Sequence, residues 1–285
     1  MKLDRQSVAE RSGRRAGILA IGVLLFGMAG GVPGFAQGAG EESRLNRAFF
    51  CRFGRDFTEV ITAPARWGRG DLLTLAAVSG TGLLLMAYDQ EIQDWAQGRR
   101  TASSDRASSF ITRFGDGAVL LGLSAVIYAA GEIGHDDGLR KTALLSLESL
   151  ATASLLVWTT KVIVGRARPY TEESSHSFHP FALKSSFWSL PSGHAAAAFS
   201  VATTIALQSK NVFVDVVAYS LASLAGLSRV HDNTHWASDV FIGGAVGYFI
   251  AKKIADLNRP GDKRTVSLGF QSSRGRQALT LSIAF

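Results

Sequence analysis

The chain is poor in the residues that build covalent cross-links and metal sites. Its 285 residues include a single cysteine, Cys51, which excludes an internal disulfide. No group of cysteines and histidines has the spacing of a metal site, although six histidines are present. We therefore predict neither a disulfide framework nor a bound metal, and we expect no cofactor.

Uninterrupted apolar runs long enough to cross a bilayer are also scarce. Most of the apolar stretches fall at or below the roughly 17 to 25 residues that a spanning helix needs, and Glu148 and Asp215 lie inside two of them. The six stretches are 72–87, 117–130, 142–160, 194–207, 213–227 and 239–251. They are rich in Leu, Val and Ala without strand-like alternation, so we predict an all-α, six-helix bundle. We expect it to be membrane-associated, and a soluble bundle is the alternative.

The two ends of the chain differ from this apolar part. The N-terminus has a basic region, an apolar run and small residues ahead of Gln37, which is typical of a signal peptide or an N-terminal anchor. The C-terminal residues alternate apolar and polar side chains, which predicts a β-hairpin. We divide the chain into a signal peptide or anchor (1–36), a polar lead segment (37–70), a helical domain (71–256) and a hairpin tail (262–285).

One short stretch, 228–239, contains the residues of a possible nucleophilic site. If the chain is helical from His235, Asp239 lies one turn further on and can bind one imidazole nitrogen, which leaves the other free to attack. Arg229 lies just upstream, where its guanidinium can hold the oxyanion under attack. A His and an Asp at this spacing more often form a surface pair, so this stretch alone is only suggestive.

Two other stretches add groups that bind phosphate. Lys161 and Arg168 are seven residues apart, which is two helical turns and therefore one helix face. Ser192, Gly193 and His194 run directly into an alanine-rich segment that we predict to be helical. The first-turn N–H groups of a helix have no partner within the helix and attract phosphate.

In chain order the three stretches read Lys-x6-Arg-Pro, Pro-Ser-Gly-His and Ser-Arg-x5-His-x3-Asp. The chain therefore resembles the type 2 phosphatidic acid phosphatase superfamily, which also includes bacterial class A acid phosphatases and vanadium haloperoxidases. Every residue of the three-part signature is present, and the resemblance covers roughly residues 71–256. Many fixed residues at fixed spacings make it specific.

The resemblance and the chemistry of the residues imply the same roles. His235 would attack phosphorus and form a phosphohistidine, and Asp239 would orient it. His194 would protonate the leaving oxygen and later activate water. Five residues would surround the phosphoryl oxygens: Lys161, Arg168, Ser192, Gly193 and Arg229. His231 and Asp232 lie inside the third stretch at positions that the signature leaves open, and we expect them to be surface residues.

These roles predict a metal-independent phosphatase for phosphate monoesters or pyrophosphates. We expect lipid substrates, of the phosphatidate, prenyl pyrophosphate or lipid A type. A soluble periplasmic acid phosphatase of broad specificity is one alternative. A vanadium haloperoxidase is another, because it holds vanadate in the same anion pocket with His235 as the ligand. The expected partners are a phosphorylated lipid or small phosphate ester and the membrane, not nucleic acid, and the oligomeric state is open.

The expected location is the bacterial inner membrane with an extracytoplasmic active site, or the periplasm. The export-like N-terminus supports this, and so does the lower number of Lys and Arg on the site-bearing side if all six stretches span. A cleaved signal followed by six spans would instead turn the site inwards. That conflict disappears if one stretch does not span or if the bundle is periplasmic. The net charge of +7 suits an anionic substrate or membrane but does not indicate a function.

Overall fold

The computed structural model describes residues 43–259 and the backbone of 266–273 and 276–283. The chain there is almost entirely helical. The helices are α1 Arg47–Thr62, α2 Arg69–Ala87, α3 Asp89–Gln97, α4 Ala102–Ile111, α5 Gly117–Ile133, α6 Asp137–Val164, α7 Gly193–Ser209, α8 Val212–His231 and α9 Ala237–Leu257. The predicted signal peptide or anchor, 1–36, lies outside the described residues.

The prediction of six helices was wrong for these residues, because nine α-helices are described. Six of them, α2 and α5 to α9, follow the six apolar stretches. The other three lack a long apolar run, and α3 and α4 lie in the connection between the first two apolar stretches. Polar side chains stabilise these short helices at their ends: Asn46 accepts from the Phe49 amide at the start of α1, and Thr101 accepts from the Ser104 amide at the start of α4.

Two strands lie in the predicted C-terminal tail. They are β1 Val266–Ser273 and β2 Arg276–Ile283, and they pair antiparallel with Val266 opposite Ile283. Packing of this tail as a cap on the helical bundle stays a prediction.

Helix α7 lies at the centre of the bundle, where it packs against α6, α8 and α9. Its contact with α9 is a backbone contact that glycine permits. A Cβ added at Gly247 would lie 2.2 Å from the carbonyl oxygen of Ala196, and one added at Gly243 would lie 2.4 Å from that of Ser192. Such small residues let two helices approach more closely than side chains would allow. The start of α7 therefore lies directly against the start of α9.

The long helices alternate in direction, so that four of their ends meet at one end of the bundle. Helices α6 and α8 finish there at Val164 and His231, and α7 and α9 begin there at Gly193 and Ala237. The connections 134–136 and 210–211 lie at the opposite end. Each stretch singled out in the sequence therefore falls at the same end.

Several helices are suited to a membrane by length and composition. In the described part of the chain, α2, α6 and α8 are long and apolar enough to cross one, and Ala102–Gly115 with Gly117–Ile133 makes a fourth if this pair, bent by 56°, counts as one span. Helix α2 exposes most of its apolar side chains, including Leu73 at 72% and Leu83 at 66%. Exposed apolar surface of this extent suits contact with lipid.

Candidate active site

The long connection between α6 and α7 folds back on the end of the bundle. It leaves α6 through Gly165, whose φ of +62° belongs to the left-handed region, and an added Cβ would lie 1.8 Å from the carbonyl oxygen of His179. Glycine is therefore required at this position. Further on, the Arg168 amide donates to the Ser186 carbonyl at 2.9 Å and the Ser189 amide to the Arg166 carbonyl at 3.0 Å. These bonds fix the course of the connection beside α7.

Lys161 and Arg168 lie close together, but not on one helix face as their spacing predicted, because α6 ends at Val164 and Arg168 has an extended backbone. The Nζ atom of Lys161 donates to the carbonyl of Trp188 at 2.5 Å, and Nη2 of Arg168 lies 3.4 Å from the same oxygen. Gly193 lies beside Lys161, because an added Cβ would be 3.9 Å from its Cε atom. Burial lowers the pKa of Arg168, although a guanidinium remains charged at neutral pH.

Arg229, in the last turn of α8, is held by two oxygens. Its Nη1 atom donates to Oγ1 of Thr112 at 2.5 Å and to Oδ2 of Asp232 at 3.0 Å. The other carboxylate oxygen of Asp232 accepts from Ser108 at 2.6 Å. Asp232 is therefore a fixed partner of the guanidinium, and the expectation that it is only a surface residue was wrong. The i,i+3 spacing of Arg229 and Asp232 could have indicated their contact, whereas the bonds to Thr112 and Ser108 could not be predicted, because these residues are more than 100 positions away in the sequence.

Ser192 caps α7, and its own amide is used. The amide donates to the carbonyl of Asp239 at 2.9 Å, and the hydroxyl accepts from the Ala195 amide at 3.5 Å. The expectation that the Ser192 amide is an unpaired donor was therefore wrong. Gly193 and His194 are the first two residues of the helix, where N–H groups have no partner within the helix.

His235 and Asp239 lie beside each other, but not at hydrogen-bond distance. His235 is 3% exposed, and its Nδ1 atom is 3.7 Å from Oδ2 of Asp239. That nitrogen has no hydrogen-bond partner among the described residues. The carboxylate oxygen instead accepts from the Trp236 amide at 3.0 Å and from the Ser189 hydroxyl at 2.5 Å. The expected hydrogen bond between His235 and Asp239 is thus absent from this state, although the two side chains face each other.

The other oxygen of Asp239 belongs to a fully buried network that sequence reasoning missed. Nη1 of Arg166 donates to it at 2.6 Å and to the Ser238 hydroxyl at 2.8 Å. Nη2 donates to Asp89 at 2.8 Å and to the Ser175 carbonyl at 2.6 Å. Asp89 also accepts from the Ser238 amide at 2.9 Å. One arginine therefore connects the carboxylate beside His235 to the start of α3.

His194 points into the same region from the first turn of α7. Gly115 lies against it, because an added Cβ would be 2.9 Å from the His194 Cβ atom. Burial, together with the positive charges of Arg229, Lys161 and Arg168, lowers the pKa of His194 to about 4 against the opposing effect of Asp116. His194 is therefore neutral near pH 7 in the absence of an anion.

His235 is neutral as well. Burial lowers its pKa to about 3, against the attraction of Asp239. For Asp239, burial alone would raise the pKa, but His235, Arg166 and Ser189 outweigh it and the pKa lies below its ordinary value. The site therefore combines a neutral imidazole with an ionised carboxylate, which is the state that a nucleophilic histidine needs. Within residues 43–259 no three His, Cys, Asp or Glu side chains are placed to hold a metal ion.

This arrangement can be compared with known proteins. Residues 142–258, which contain all the site residues of the three stretches, match the model of the PAP2 superfamily. The match covers less than half of the chain. The resemblance seen in the sequence is thus confirmed for this part of the chain, and the chain is a phosphoric monoester hydrolase.

Curated relatives are similar over different lengths. A lipid A 1-phosphatase of Porphyromonas gingivalis is 46% identical over 66 residues, which is 22% of this chain and only 15% of that protein. A lipid A 1-phosphatase of Rhizobium etli is 28% identical over 199 residues, which is 65% of this chain and 82% of that protein.

A solved structure has the same fold over most of its length. It is a transmembrane PAP2 type phosphatidylglycerolphosphate phosphatase from Bacillus subtilis, with a TM-score of 0.50 and 26% identity. The similarity covers 65% of this chain and 98% of that one.

Proposed function

We propose that the chain is a membrane phosphatase that hydrolyses a phosphate monoester of a lipid. Its substrate is a lipid A-type 1-phosphate, and the reaction passes through a phosphohistidine on His235. The observation that supports this most strongly is the position of His235. This side chain is buried and neutral, and it faces an ionised carboxylate. It lies at the same end of the bundle as Lys161, Arg168 and Arg229.

The first step forms a bond from nitrogen to phosphorus and breaks the bond from phosphorus to the leaving oxygen. Nδ1 of His235 faces Asp239, so Nε2 is the attacking atom. The basic side chains and the α7 N-terminus stabilise the charge on the phosphoryl oxygens. The leaving oxygen takes a proton from His194. In the second step His194 takes a proton from water, whose oxygen attacks phosphorus and releases phosphate and free His235.

The proton for the first step depends on the substrate itself. His194 has a pKa of about 4 in the free protein, because it is buried and because three basic side chains repel a proton. A bound phosphate dianion offsets these charges and raises that pKa. His194 therefore becomes a proton donor when the substrate is in place.

A lipid substrate follows from the surroundings of the site and from the relatives. Two helices that end at the site, α6 and α8, are long and apolar enough to cross a membrane, so the site lies near the surface of the bilayer. Two curated relatives carry the name lipid A 1-phosphatase. A phosphate on the head group of a lipid can reach the site while its acyl chains remain in the bilayer.

The test is phosphate release by detergent-purified protein from four substrates: a lipid A-type 1-phosphate, phosphatidate, a prenyl pyrophosphate and p-nitrophenyl phosphate. We expect the highest kcat/KM for the first, with activity that survives EDTA and is inhibited by vanadate. Preference for the water-soluble ester would contradict a lipid substrate. Halide oxidation with vanadate and no phosphate release would identify a haloperoxidase instead.

A further inference from the structure

A polar cavity lies beside the site and has no role in the two reaction steps proposed above. It has a volume of about 350 Å³, which falls within the range of about 300 to 1,000 Å³ that small-ligand pockets occupy. Its walls include Pro169, Asn233 and Trp236. Pro169 follows the phosphate-binding Arg168, and Trp236 follows the nucleophile His235. The cavity therefore lies beside the two segments that carry Arg168 and His235.

The chemistry of the cavity is rich in hydrogen-bond acceptors. Helix α3 and the connection after α6 supply amide and carboxylate side chains, which are Gln90, Gln93, Asp94, Gln97, Glu172 and Glu173. Some of these groups are partly used within the protein. Gln90 donates to Asp94 at 3.1 Å, and Glu173 accepts from His179 at 2.8 Å. Both carboxylates retain lone pairs for further donors.

One buried acceptor in the wall has no partner. Gln93 is 4% exposed, and its Nε2 atom donates to Oδ1 of Asn233 at 2.6 Å and lies 3.4 Å from the carbonyl of Val230. These contacts fix the orientation of the amide. Its Oε1 atom accepts no hydrogen bond from the part of the chain that is described. A buried acceptor without a donor is costly, so it indicates a donor supplied from outside the protein.

We propose that this cavity, which we call the α3 pocket, binds the sugar head group to which the scissile phosphate is attached. Hydroxyl and amide N–H groups of the head group donate to the carboxylates and to Oε1 of Gln93, and its ring oxygens accept from the amide N–H groups of the wall. The glycerol of phosphatidate has no such donor, because two of its oxygens are acylated and the third bears the phosphate, so it leaves these acceptors unpaired. This inference rests on the proposed function and assigns a part of the protein to the sugar.

Helix α3 offers a matched pair of variants for the test. Asp94 lines the α3 pocket, whereas Glu91 is an exposed carboxylate on the same helix that does not line it. Asp94→Ala and Glu91→Ala therefore remove the same charge from the same helix. Glu172→Ala provides a second pocket variant in a different segment, since Glu172 follows the turn after Arg168.

The measurement is kcat/KM of each variant in detergent with a phosphorylated sugar lipid and with phosphatidate. We expect Asp94→Ala and Glu172→Ala to lower kcat/KM about tenfold or more for the sugar lipid and less than about twofold for phosphatidate. Each variant removes a charged carboxylate that accepts hydrogen bonds from the sugar. Glu91→Ala should leave both values unchanged.

The outcomes separate the two proposals. If the wild-type protein releases phosphate from neither lipid, the proposed function fails, and this inference fails with it. If the protein is active but both pocket variants lose the same factor with the two lipids, or lose nothing, only the sugar pocket is wrong. A wild-type protein that cleaves phosphatidate and ignores the sugar lipid also overturns the pocket.

Discussion

Both histidines of the site give up their charge in the free protein because burial and nearby basic side chains oppose protonation. The pKa is about 4 for His194 and about 3 for His235. A dianion in the site favours the protonated form, so the pKa of His194 must rise when an anion binds. By linkage, an anion whose own charge is constant binds more tightly as the pH falls through the raised pKa, until the pH reaches about 4.

We therefore predict that sulfate, which stays dianionic over this range, binds more tightly as the pH is lowered from 7 towards 4. Its dissociation constant can be measured as the inhibition constant for p-nitrophenyl phosphate or by calorimetry. The variant His194→Gln, which cannot take up the proton, should show a much flatter dependence. An equally steep dependence in the variant would assign the proton to another group.

The two histidines should also respond differently to the leaving group. His235→Ala should abolish turnover of every substrate, because in the proposed mechanism His235 forms the bond to phosphorus. His194→Ala should matter most when the leaving oxygen is a poor leaving group such as a sugar or glycerol oxygen. General-acid assistance is worth about 10²- to 10⁴-fold, so the difference between such an ester and an aryl phosphate is measurable.

That comparison has to follow the first product in a single turnover, because loss of His194 also slows hydrolysis of the phosphoenzyme. Equal losses for both leaving groups would remove His194 as the proton donor. Acid-labile phosphate retained on the His235→Ala protein would remove His235 as the nucleophile.

Arg166 carries a prediction of its own, since it holds Asp239 without reaching the phosphate. Arg166→Lys keeps the charge but cannot bind Asp89, Asp239 and Ser238 together. A displacement of the catalytic groups by about 1 Å can cost about 10²-fold in rate. We expect kcat to fall by about that factor while the inhibition constant of sulfate stays within about twofold.

The exposed Arg106, which lies on the same end of the bundle, provides the control as Arg106→Lys. If Arg166→Lys weakens sulfate binding by the same factor as it lowers kcat, the variant disturbs the whole phosphate site, and Arg166 is not specifically a positioning residue.

The motifs of the sequence predicted the placement of the groups around the phosphate but not of the groups behind them. Helical periodicity does not explain why Lys161 and Arg168 lie together, because α6 ends at Val164 and it is the connection after it that brings Arg168 back. Asp89 and Arg166 could not be placed together from the sequence either, because 77 residues separate them and only the folded chain brings them into contact. Arg166 lies inside the first stretch, at a position between the two residues of the motif. A charged residue in such a connection is usually solvated, and burial cannot be derived from its neighbours.

Among the helices, the contact of α7 with α9 sets the distance between His194, at the start of α7, and Asp239, at the start of α9. We predict that Gly247→Ala disturbs it, because the added methyl group would lie 2.2 Å from the Ala196 carbonyl oxygen. Overpacking of this kind typically costs about 1 to 3 kcal/mol. The variant should lose activity and unfold at a lower temperature in detergent.

Gly122, on α5, is the matched control, because nothing lies within 4 Å of an added Cβ. Gly122→Ala also removes a helical glycine and should keep full activity and stability. Two variants with the same thermal midpoint would mean that α7 and α9 can move apart without consequence.

The six long helices could be predicted from apolar composition, since each follows one of the six apolar stretches. The three other helices could not. Helix α3 spans nine residues with four charged or amide side chains in its first five, so nothing in its composition distinguishes it from a loop. It is stabilised by tertiary bonds, such as those from Gln93 and Gln97 to the end of α8. Those partners are known only after folding.

For the molecule as a whole, we predict that the site lies on the extracytoplasmic side of the membrane. The export-like N-terminus and the distribution of Lys and Arg support this prediction. In a Cys51→Ser background, Tyr170→Cys places a thiol at an exposed position beside Arg168. This thiol should react with an impermeant reagent in intact spheroplasts.

Lys210→Cys places the control thiol at the opposite end of the bundle, in the connection between α7 and α8. It should react only after lysis. The reverse pattern would place the site in the cytoplasm, and reaction of both thiols in intact cells, with release of the protein by carbonate, would mean that the bundle does not span.

The buried bridge through Arg166 also has a consequence for the synthesis of the protein. Asp89 and Arg166 leave the ribosome long before Asp239, which follows Arg166 by 73 residues. Until α9 docks, the guanidinium lacks one of its two carboxylates and His235 lacks the carboxylate that it faces in the folded chain. We therefore expect a nascent chain without α9 to be inactive. The site is complete only when the last long helix docks.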